Sequence, residues 1–431
     1  MKTKSIIFIM LILFALPKIT AFSQNRNVVW VHGFGGDASR WERYANLFTS
    51  ERKINSTRQS YNTTSGLETA AAQLRTSVPG GANYPSNNMG IGHSMGGVMI
   101  REVDRMPIAG NASAPKKFGG FITVASPNYG APISENILNN NVQNALATGG
   151  QRLLAGPIAQ MGPGLAAVWE IISGWTTQKV INVLNANIEM FTPATNNDLK
   201  ENSQKMTTLN NFNSTVHRIN IIAEETSPVH WRISGSGTFG AGSSGYPGDE
   251  LMVTLANQIR EAYQAKYIQL NVLLLFGLAN EYKKGRDWLD DSQTIWCNLI
   301  KSSRLEQQTY WQLVFVPCNK PICKICIGAG LPPSPDNPII TGCGSYVSMP
   351  FTQWVTVTYK NDGLLPIYAQ ELKGVPAGSN RYYIDHANHF EVRNMQYSKK
   401  PNGVTNDATK NVLNDIFNRE NTWWHTPRKT P

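Results

Sequence analysis

The chain has 431 residues, of which 41% are hydrophobic and 16% are charged. A chain of this length and composition can bury a large core, which excludes a disordered protein and predicts about two or three domains. Its formal charge of +10 includes no clustered run of Lys or Arg, so nucleic acid is not predicted as a partner.

Residues 1–23 have the pattern of a secretory signal peptide. Lys2 and Lys4 precede an apolar run over residues 6–16, and a small-residue cleavage site ends at Ser23. The run is too short to span a bilayer, so we expect removal rather than anchoring and a secreted or periplasmic mature protein. Cleavage, which also removes Lys18, lowers the formal charge to +7.

Residues 28–31 predict the first strand of the mature chain. This apolar run leads directly into His32-Gly33-Phe34-Gly35-Gly36. A glycine-rich loop after a buried strand can be a tight turn, or it can present backbone N–H groups to an anion. Apolar residues at helical spacing predict helices over residues 41–48 and 64–78.

The segment around Ser94 has the sequence of a nucleophile elbow. Gly92-x-Ser94-x-Gly96 follows a short apolar stretch and precedes helically spaced residues from Val98 onward, which predicts a strand, a sharp turn and a helix. Small residues on either side of the serine allow strand and helix to approach closely. These flanking patterns favour a nucleophilic Ser94 over a chance match in a loop.

The His32-Gly33 loop and the Ser94 motif together resemble the α/β-hydrolase superfamily, and within it the bacterial secreted lipases and esterases. The resemblance implies an α/β fold: a mostly parallel central sheet with helices on both faces and helical, lid-like insertions. It also implies an oxyanion hole formed by the backbone N–H groups of Phe34 and Met95. Asn128 stands where many relatives have histidine, and we assign it no catalytic role.

A first insertion is predicted after this core segment. Helical patterns at residues 142–154 and 166–185 fit either a lid or a layer that only covers the sheet. Residues 217–223 then return to the core as a strand, followed by a Gly/Ser loop over residues 234–248.

A second insertion begins with a helical pattern over residues 251–267. Residues 270–278 are the most apolar stretch of the mature chain, and we expect a buried helix there, with an interfacial surface that opens onto lipid as the alternative.

All five cysteines lie in this second insertion or at its exit: Cys297, Cys318, Cys323, Cys326 and Cys343. Cys318, Cys323 and Cys326 are closely spaced, but no histidine or fourth cysteine lies near them at the spacing of a metal ligand. Export to an oxidising compartment instead favours disulfides. We therefore expect two disulfides and one remaining thiol, with the pairing undetermined.

The C-terminal part of the chain supplies an acid and a base. Residues 354–359 alternate as a strand and lead into Asn361-Asp362-Gly363-Leu364, which resembles the lipase segment that bears the acid. A strand at residues 381–384 leads into a loop that contains Asn388-His389, which resembles the segment that bears the base. Since this superfamily orders its triad as serine, acid and histidine, Asp362 and His389 are the expected partners of Ser94.

Two alternatives remain open at this stage. His386 is an alternative base, because loop positions cannot be fixed from pattern alone. Asp249 is an alternative acid, although its place before an apolar helical pattern is typical of a helix N-cap. Three other histidines are poorly placed for the order that the chemistry requires: His217, His230 and His425.

The predicted segments are a signal peptide (1–23), an N-terminal half-core with oxyanion loop and elbow (24–130), a helical insertion or lid (131–210), a core strand and Gly/Ser loop (211–248), a helical, cysteine-containing insertion (249–345) and a C-terminal core segment (346–431).

We expect a serine-dependent carboxylic ester hydrolase, a lipase or esterase that acts on lipid or long-chain acyl esters and contacts a membrane or lipid interface transiently. A peptidase, amidase or thioesterase on the same scaffold and a non-catalytic lipid-binding protein are the alternatives. No cofactor is expected; calcium held by spare carboxylates such as Asp385 is left open.

Overall fold

The computed structural model describes residues 25–80, 87–110, 116–154, 193–238, 248–317, 344–393 and 408–429. The predicted signal peptide, the predicted helix at residues 166–185 and four of the cysteines lie outside these ranges. Cys297 is described and takes part in no disulfide. Ser302–Tyr359 forms a small compact unit by itself, and the other described residues form the larger unit.

The strands, in chain order, are β1 (Arg26–Val31), β2 (Ile54–Gln59), β3 (Asn88–His93), β4 (Gly120–Val124), β5 (His217–Glu224), β6 (Ser303–Pro317), β7 (Gly344–Thr358) and β8 (Arg381–Asp385). Six of them form one sheet in the order β2-β1-β3-β4-β5-β8, and every neighbouring pair is parallel. The remaining two, β6 and β7, pair with each other as a long antiparallel hairpin in the small unit.

The central sheet is buried on both faces, as a parallel sheet requires. Val28 and Trp30 of β1 point into one apolar cluster with Phe417. Val29 and Val31, which alternate with them, point into a second cluster on the opposite face. The near-continuous apolar pattern of this strand therefore follows from a core on each side.

The helices, in chain order, are α1 (Glu42–Glu51), α2 (Leu67–Ser77), α3 (Met95–Gly110), α4 (Pro132–Leu138), α5 (Asn141–Leu154), α6 (Pro193–Leu199), α7 (Gln204–Asn211), α8 (Val229–Thr238), α9 (Gly248–Val272), α10 (Phe276–Leu299), α11 (Ile367–Gln370) and α12 (Ala408–Phe417). The helices predicted at residues 142–154 and 251–267 are confirmed as α5 and α9. The Gly/Ser loop predicted from residue 234 is wrong at its start, because residues 234–238 belong to α8. Buried Val229 and Ile233 hold this helix against its neighbours.

Residues 354–358 form a strand, as predicted for residues 354–359, but this strand is not part of the central sheet. They lie at the end of β7, which pairs with β6 as a hairpin. Strand β6 itself lies within the insertion that was predicted to be helical. Trp354 is 67% exposed in the hairpin. Alternation identifies a strand, but it does not identify the partner of that strand.

The prediction that residues 270–278 are buried is also wrong. They form the end of α9, the turn and the start of α10, where Val272, Leu274 and Phe276 are 76%, 71% and 60% exposed. The two helices bury other positions between them, including Tyr263 and Tyr282. No helix in the described ranges is both long and apolar enough to cross a bilayer.

Candidate active site

Two loops meet where the order of the sheet reverses. The chain passes from β1 to β2 on one side of β1 and then returns to β3 on the other side. The loops that follow β1 and β3 therefore meet at the carboxyl edge of the sheet, the place where open α/β sheets bind ligands. A Cβ atom on Gly33 would lie 2.7 Å from Cβ of Ser94, so glycine is needed for the approach.

Ser94 occupies a strained turn between β3 and α3. Its φ angle of 54° lies in the left-handed region, which costs a non-glycine residue on the order of 1–3 kcal/mol. A Cβ on Gly92 would lie 2.5 Å from the carbonyl group of Gly96, and one on Gly96 would lie 2.4 Å from the carbonyl oxygen of His32. The two glycines let strand and helix pack closely while Ser94 Oγ is held at the tip.

The imidazole of His389 connects Ser94 to a carboxylate. Ser94 Oγ donates to Nε2 over 2.9 Å, and Nδ1 of the same ring donates to Oδ2 of Asp362 over 2.7 Å. His389 is 3% exposed and Asp362 is fully buried. The acid therefore fixes the ring orientation that leaves Nε2 facing the hydroxyl.

A tight turn positions the carboxylate. Oδ1 of Asp362 accepts hydrogen bonds from the backbone N–H groups of Leu364 and Leu365, at 2.9 and 2.7 Å. The backbone N–H of His389 donates to the carbonyl oxygen of Asp362 over 2.8 Å. The loop of the acid and the loop of the base are thus joined through their main chains.

Along the chain the three hydrogen-bonded residues occur in the order Ser94, Asp362, His389, on a strand–turn–helix elbow of a parallel sheet. The protein has the α/β-hydrolase fold. The predicted fold class is confirmed by this sheet and by the helices on both of its faces.

No protein-family model matches this chain, and no curated protein matches it. Among solved structures, the phospholipase PlaB from Legionella pneumophila is 12% identical over 47% of this chain and 40% of its own, with a TM-score of 0.28. A hydrolase from Oleispira antarctica, olei00960, is 12% identical over 47% of this chain and 74% of its own, with a TM-score of 0.29. Lipase B from Aspergillus fumigatus is 14% identical over 25% of this chain and 26% of its own, with a TM-score of 0.21. The chain spans less than half the length of the first and third of these proteins.

The loop after β1 presents backbone donors beside the serine. Phe34 and Met95 line the same cleft as Ser94, and their backbone N–H groups donate to no other described residue. His32 fixes the start of the loop through a 2.8 Å hydrogen bond from Nδ1 to the carbonyl oxygen of Gly33. Tyr61 stacks on the ring of His32 and donates to its carbonyl oxygen over 2.6 Å. Burial lowers the pKa of His32, so this ring is held neutral.

His93, next to the nucleophile, contacts the base. Its Nε2 donates to the carbonyl oxygen of His389 over 2.7 Å, and the two ring centroids are 4.8 Å apart. Burial, together with the charge of His389, holds the pKa of His93 well below its usual range. No sequence pattern indicates a role for this residue, because only the fold brings the loop of His389 over it.

Two cavities open on Ser94. The first is mainly apolar and is lined by Pro127, Ala131, Ile133, Ile137, Leu199 and Leu365, among others. The second is lined by the loop after β1 and by two arginines, Arg40 and Arg393. Ser94 and His389 belong to both cavities.

The alternative base, His386, contacts Thr226 and not Ser94. His386 lies at the end of β8 with φ of 57°, and its Nδ1 is 2.6 Å from Oγ1 of Thr226. Asp249 lies in the first turn of α9, and its side chain is outside the described part of the structure.

The other histidines lie away from Ser94. His230 is buried against Ser292 and Gln293, and His217 stacks on Trp423. Asn128 is buried and donates to the carbonyl oxygen of Gln370, a structural contact.

Sequence reasoning missed the arginine-lined cavity. Arg393 lies four positions after His389, in a short 3-10 helix, Glu391–Arg393. Arg40 lies in another, Ala38–Trp41, just after the glycine-rich loop. The sequence shows that each arginine follows a loop of the site. That both arginines line the same cavity depends on the fold and could not be predicted from the sequence. The described residues contain no group of three or more His, Cys, Asp or Glu that could hold a metal ion.

Proposed function

We propose that the protein is a serine hydrolase that cleaves carboxylic esters through an acyl-enzyme. One observation carries the proposal: the 2.9 Å hydrogen bond between Ser94 Oγ and His389 Nε2, continued over 2.7 Å from His389 to Asp362. A hydroxyl, a base within reach and a carboxylate that orients the base are the parts that acyl transfer requires.

The reaction proceeds in two steps. His389 Nε2 takes the proton of Ser94, whose Oγ attacks the ester carbonyl, and the N–H groups of Phe34 and Met95 bind the oxyanion. Collapse of the tetrahedral intermediate breaks the bond to the alcohol oxygen, which receives the proton from His389. Water, activated by the same ring, then hydrolyses the acyl-enzyme and releases the acid.

The apolar cavity is the site for the acyl chain. Its lining consists mainly of aliphatic side chains from α4, α6 and the acid loop and contains no Asp, Glu, Lys or Arg. Burial of apolar surface contributes about 0.8 kcal/mol per methylene, so acyl chains gain affinity with length until the cavity is filled. Lipids and long-chain acyl esters are therefore the proposed substrates.

The exposed turn between α9 and α10 supports contact with a lipid surface. Leu273, Leu274 and Leu275 are 58%, 71% and 50% exposed in one continuous apolar tip. Lys266 lies before this tip, and Lys283 and Lys284 follow it. Lys283 is paired with Asp287 and Lys284 with Glu281, so the exposed apolar tip, and not a net positive charge, supports insertion into a lipid bilayer.

The chemistry is tested with a fluorophosphonate probe and p-nitrophenyl esters of increasing acyl length. We expect labelling of Ser94, and we expect Ser94→Ala to lose the label and at least about 10³-fold in kcat. If the protein cleaves matched amides or thioesters in preference to esters, its activity is that of an amidase or a thioesterase and not that of an esterase. A folded protein whose Ser94 is not labelled and that cleaves no ester would contradict the proposal.

The lipid contact is tested by sedimentation with vesicles that contain anionic phospholipid. We expect Leu274→Ser with Leu275→Ser to reduce the bound fraction severalfold. Leu305→Ser is the matched control, since Leu305 is 64% exposed but belongs to the β6–β7 hairpin. Equal binding by the tip variant and the wild type would exclude this surface.

A further inference from the structure

The second cavity beside Ser94 holds two guanidinium groups. Arg40 and Arg393 line it together with the glycine-rich loop, His93 and Phe390. The described residues supply neither arginine side chain with a hydrogen bond or an ion pair. Most of the partly buried arginines that the structure describes do have such partners, as Arg381 does with Glu371.

Arg393 is the more constrained of the two. Its Nε is buried and has no hydrogen-bond partner among the described residues. Burial, reinforced by the nearby charge of Arg40, lowers the pKa of Arg393 to about 10, so the group is still a cation at neutral pH. The Arg393 side chain is only partly exposed and has no ion-pair partner among the described residues, so an anion in the cavity would supply the missing counter-charge.

Asp37 is a carboxylate whose charge interacts with the arginines of this cavity. Its charge raises the pKa of Arg393, but no ion pair joins the two side chains. Asp37 Oδ1 accepts a hydrogen bond from the backbone N–H of Ser39 over 2.7 Å, which caps the short helix of Arg40. One exposed carboxylate against two guanidinium groups leaves one positive charge in excess at this cavity.

We propose that the arginine cavity binds an anionic oxygen group, phosphate or carboxylate, carried by the alcohol portion of the ester substrate. This inference rests on the proposed function, since it places the ester carbonyl at Ser94. The carbonyl carbon bears an acyl chain and an alkoxy group, and two cavities of opposite character meet at that point. The apolar cavity takes the chain, and the guanidinium forks bind the anion with charge-assisted hydrogen bonds.

The test uses soluble substrates that differ only in the anion: 1-hexanoylglycerol, 1-hexanoylglycerol 3-phosphate and 3-hexanoylglycerate. We expect kcat/KM to be about tenfold or more higher for an anionic ester than for the neutral one, mainly through KM. The two anionic substrates distinguish phosphate from carboxylate as the preferred group. Glycerol 3-phosphate should inhibit hydrolysis of the neutral ester competitively, and less so at high salt.

Substitutions of the two arginines test whether the preference for anionic esters arises from this cavity. Arg393→Gln and Arg40→Gln should each lower the ratio of anionic to neutral kcat/KM by about fivefold or more, and Arg393→Lys should retain part of it. Arg428→Gln is the control, because Arg428 is exposed and does not line the cavity. Since Arg40 is exposed, its variant remains informative if Arg393→Gln fails to fold.

The outcomes separate this inference from the esterase proposal. An enzyme that is labelled at Ser94 and cleaves the neutral ester, but shows the same ratio in wild type and in both glutamine variants, overturns the anion site alone. A protein that is not labelled and cleaves none of the three esters overturns the proposed function, and the anion site with it.

Discussion

Nε2 of His93 donates to the main-chain carbonyl oxygen of His389 over 2.7 Å, so the residue before the nucleophile holds the loop of the base. His93→Phe keeps the ring volume but loses this donor. We expect kcat to fall about fivefold with little change in KM, because one hydrogen bond contributes about 1 kcal/mol and acts on the position of the base.

The matched control is His93→Gln, whose amide N–H can donate to the same carbonyl oxygen. It should recover most of the lost kcat. If the phenylalanine variant retains wild-type kcat, or if glutamine is no better than phenylalanine, His93 does not position the base through this bond.

The carboxylate of Asp362 selects the tautomer of His389 through the 2.7 Å bond to Nδ1. In Asp362→Asn the amide can donate to Nδ1, which places the ring proton on Nε2 and removes the base. We expect a loss in kcat on the order of 10⁴-fold with the fold retained. Steady-state kinetics and circular dichroism measure the two effects.

Asp249→Asn is the comparison for that variant, since Asp249 was the alternative acid and lies in the first turn of α9. Its kcat should stay within about twofold of the wild type, because the acid's place at Nδ1 of His389 is taken by Asp362. Equal losses in the two variants would be evidence against Asp362 as the acid.

The parts of the site that the sequence could predict are those with strict local requirements. In the elbow, Ser94 has a left-handed backbone conformation and the close packing of strand and helix requires glycine at positions 92 and 96. The sequence motif therefore identifies Ser94 and, next to it, Met95. The resemblance to lipases supplied Asp362 and His389, which the structure places in one hydrogen-bonded chain with Ser94.

The missed features depend on partners that are distant in the chain. The apolar pattern of residues 270–278 indicates hydrophobic side chains but not whether another element covers them, and here the described residues leave positions 272–278 exposed. In the same way, the alternation at residues 354–359 predicts a strand whose partner, β6, lies in a hairpin outside the central sheet. Burial of Arg393 depends on a C-terminal loop that returns to the loop after β1.

Glycine at position 96 is required by the packing of α3 on β1. A Cβ there would lie 2.4 Å from the carbonyl oxygen of His32 and 2.5 Å from that of Val31, and neither backbone group can move without shifting the strand. We expect Gly96→Ala to lower the free energy of unfolding by about 3 kcal/mol.

Gly277→Ala is the matched control for that measurement. Gly277 lies in the first turn of α10 with no atom within 4 Å of an added Cβ, so alanine should stabilise the helix by up to about 1 kcal/mol. Urea denaturation compares the two variants. A Gly96→Ala protein as stable as the wild type would show that strand and helix are less closely packed than described.

His230 makes the stability depend on pH. It is 8% exposed on α8, against Oγ of Ser292 and Oε1 of Gln293 at 2.7 and 2.9 Å. Burial lowers its pKa from 6.5 to about 4. Between those pH values the unfolded chain binds a proton that the folded chain does not, so the free energy of unfolding falls as the pH falls from about 6.5 to about 4.

The size of this effect is about 3 kcal/mol, from a shift of about 2.5 pKa units at 1.36 kcal/mol each. His32 and His93 have pKa values lowered by burial as well, so they add a loss of the same sign. We therefore expect His230→Gln to flatten, but not abolish, the fall in unfolding free energy measured by urea denaturation from pH 7 to pH 4.5. Measurement at pH 8, where the ring is neutral in both states, gives the cost of the substitution itself. Parallel curves for variant and wild type, offset by that constant, would show that His230 does not titrate between folded and unfolded states.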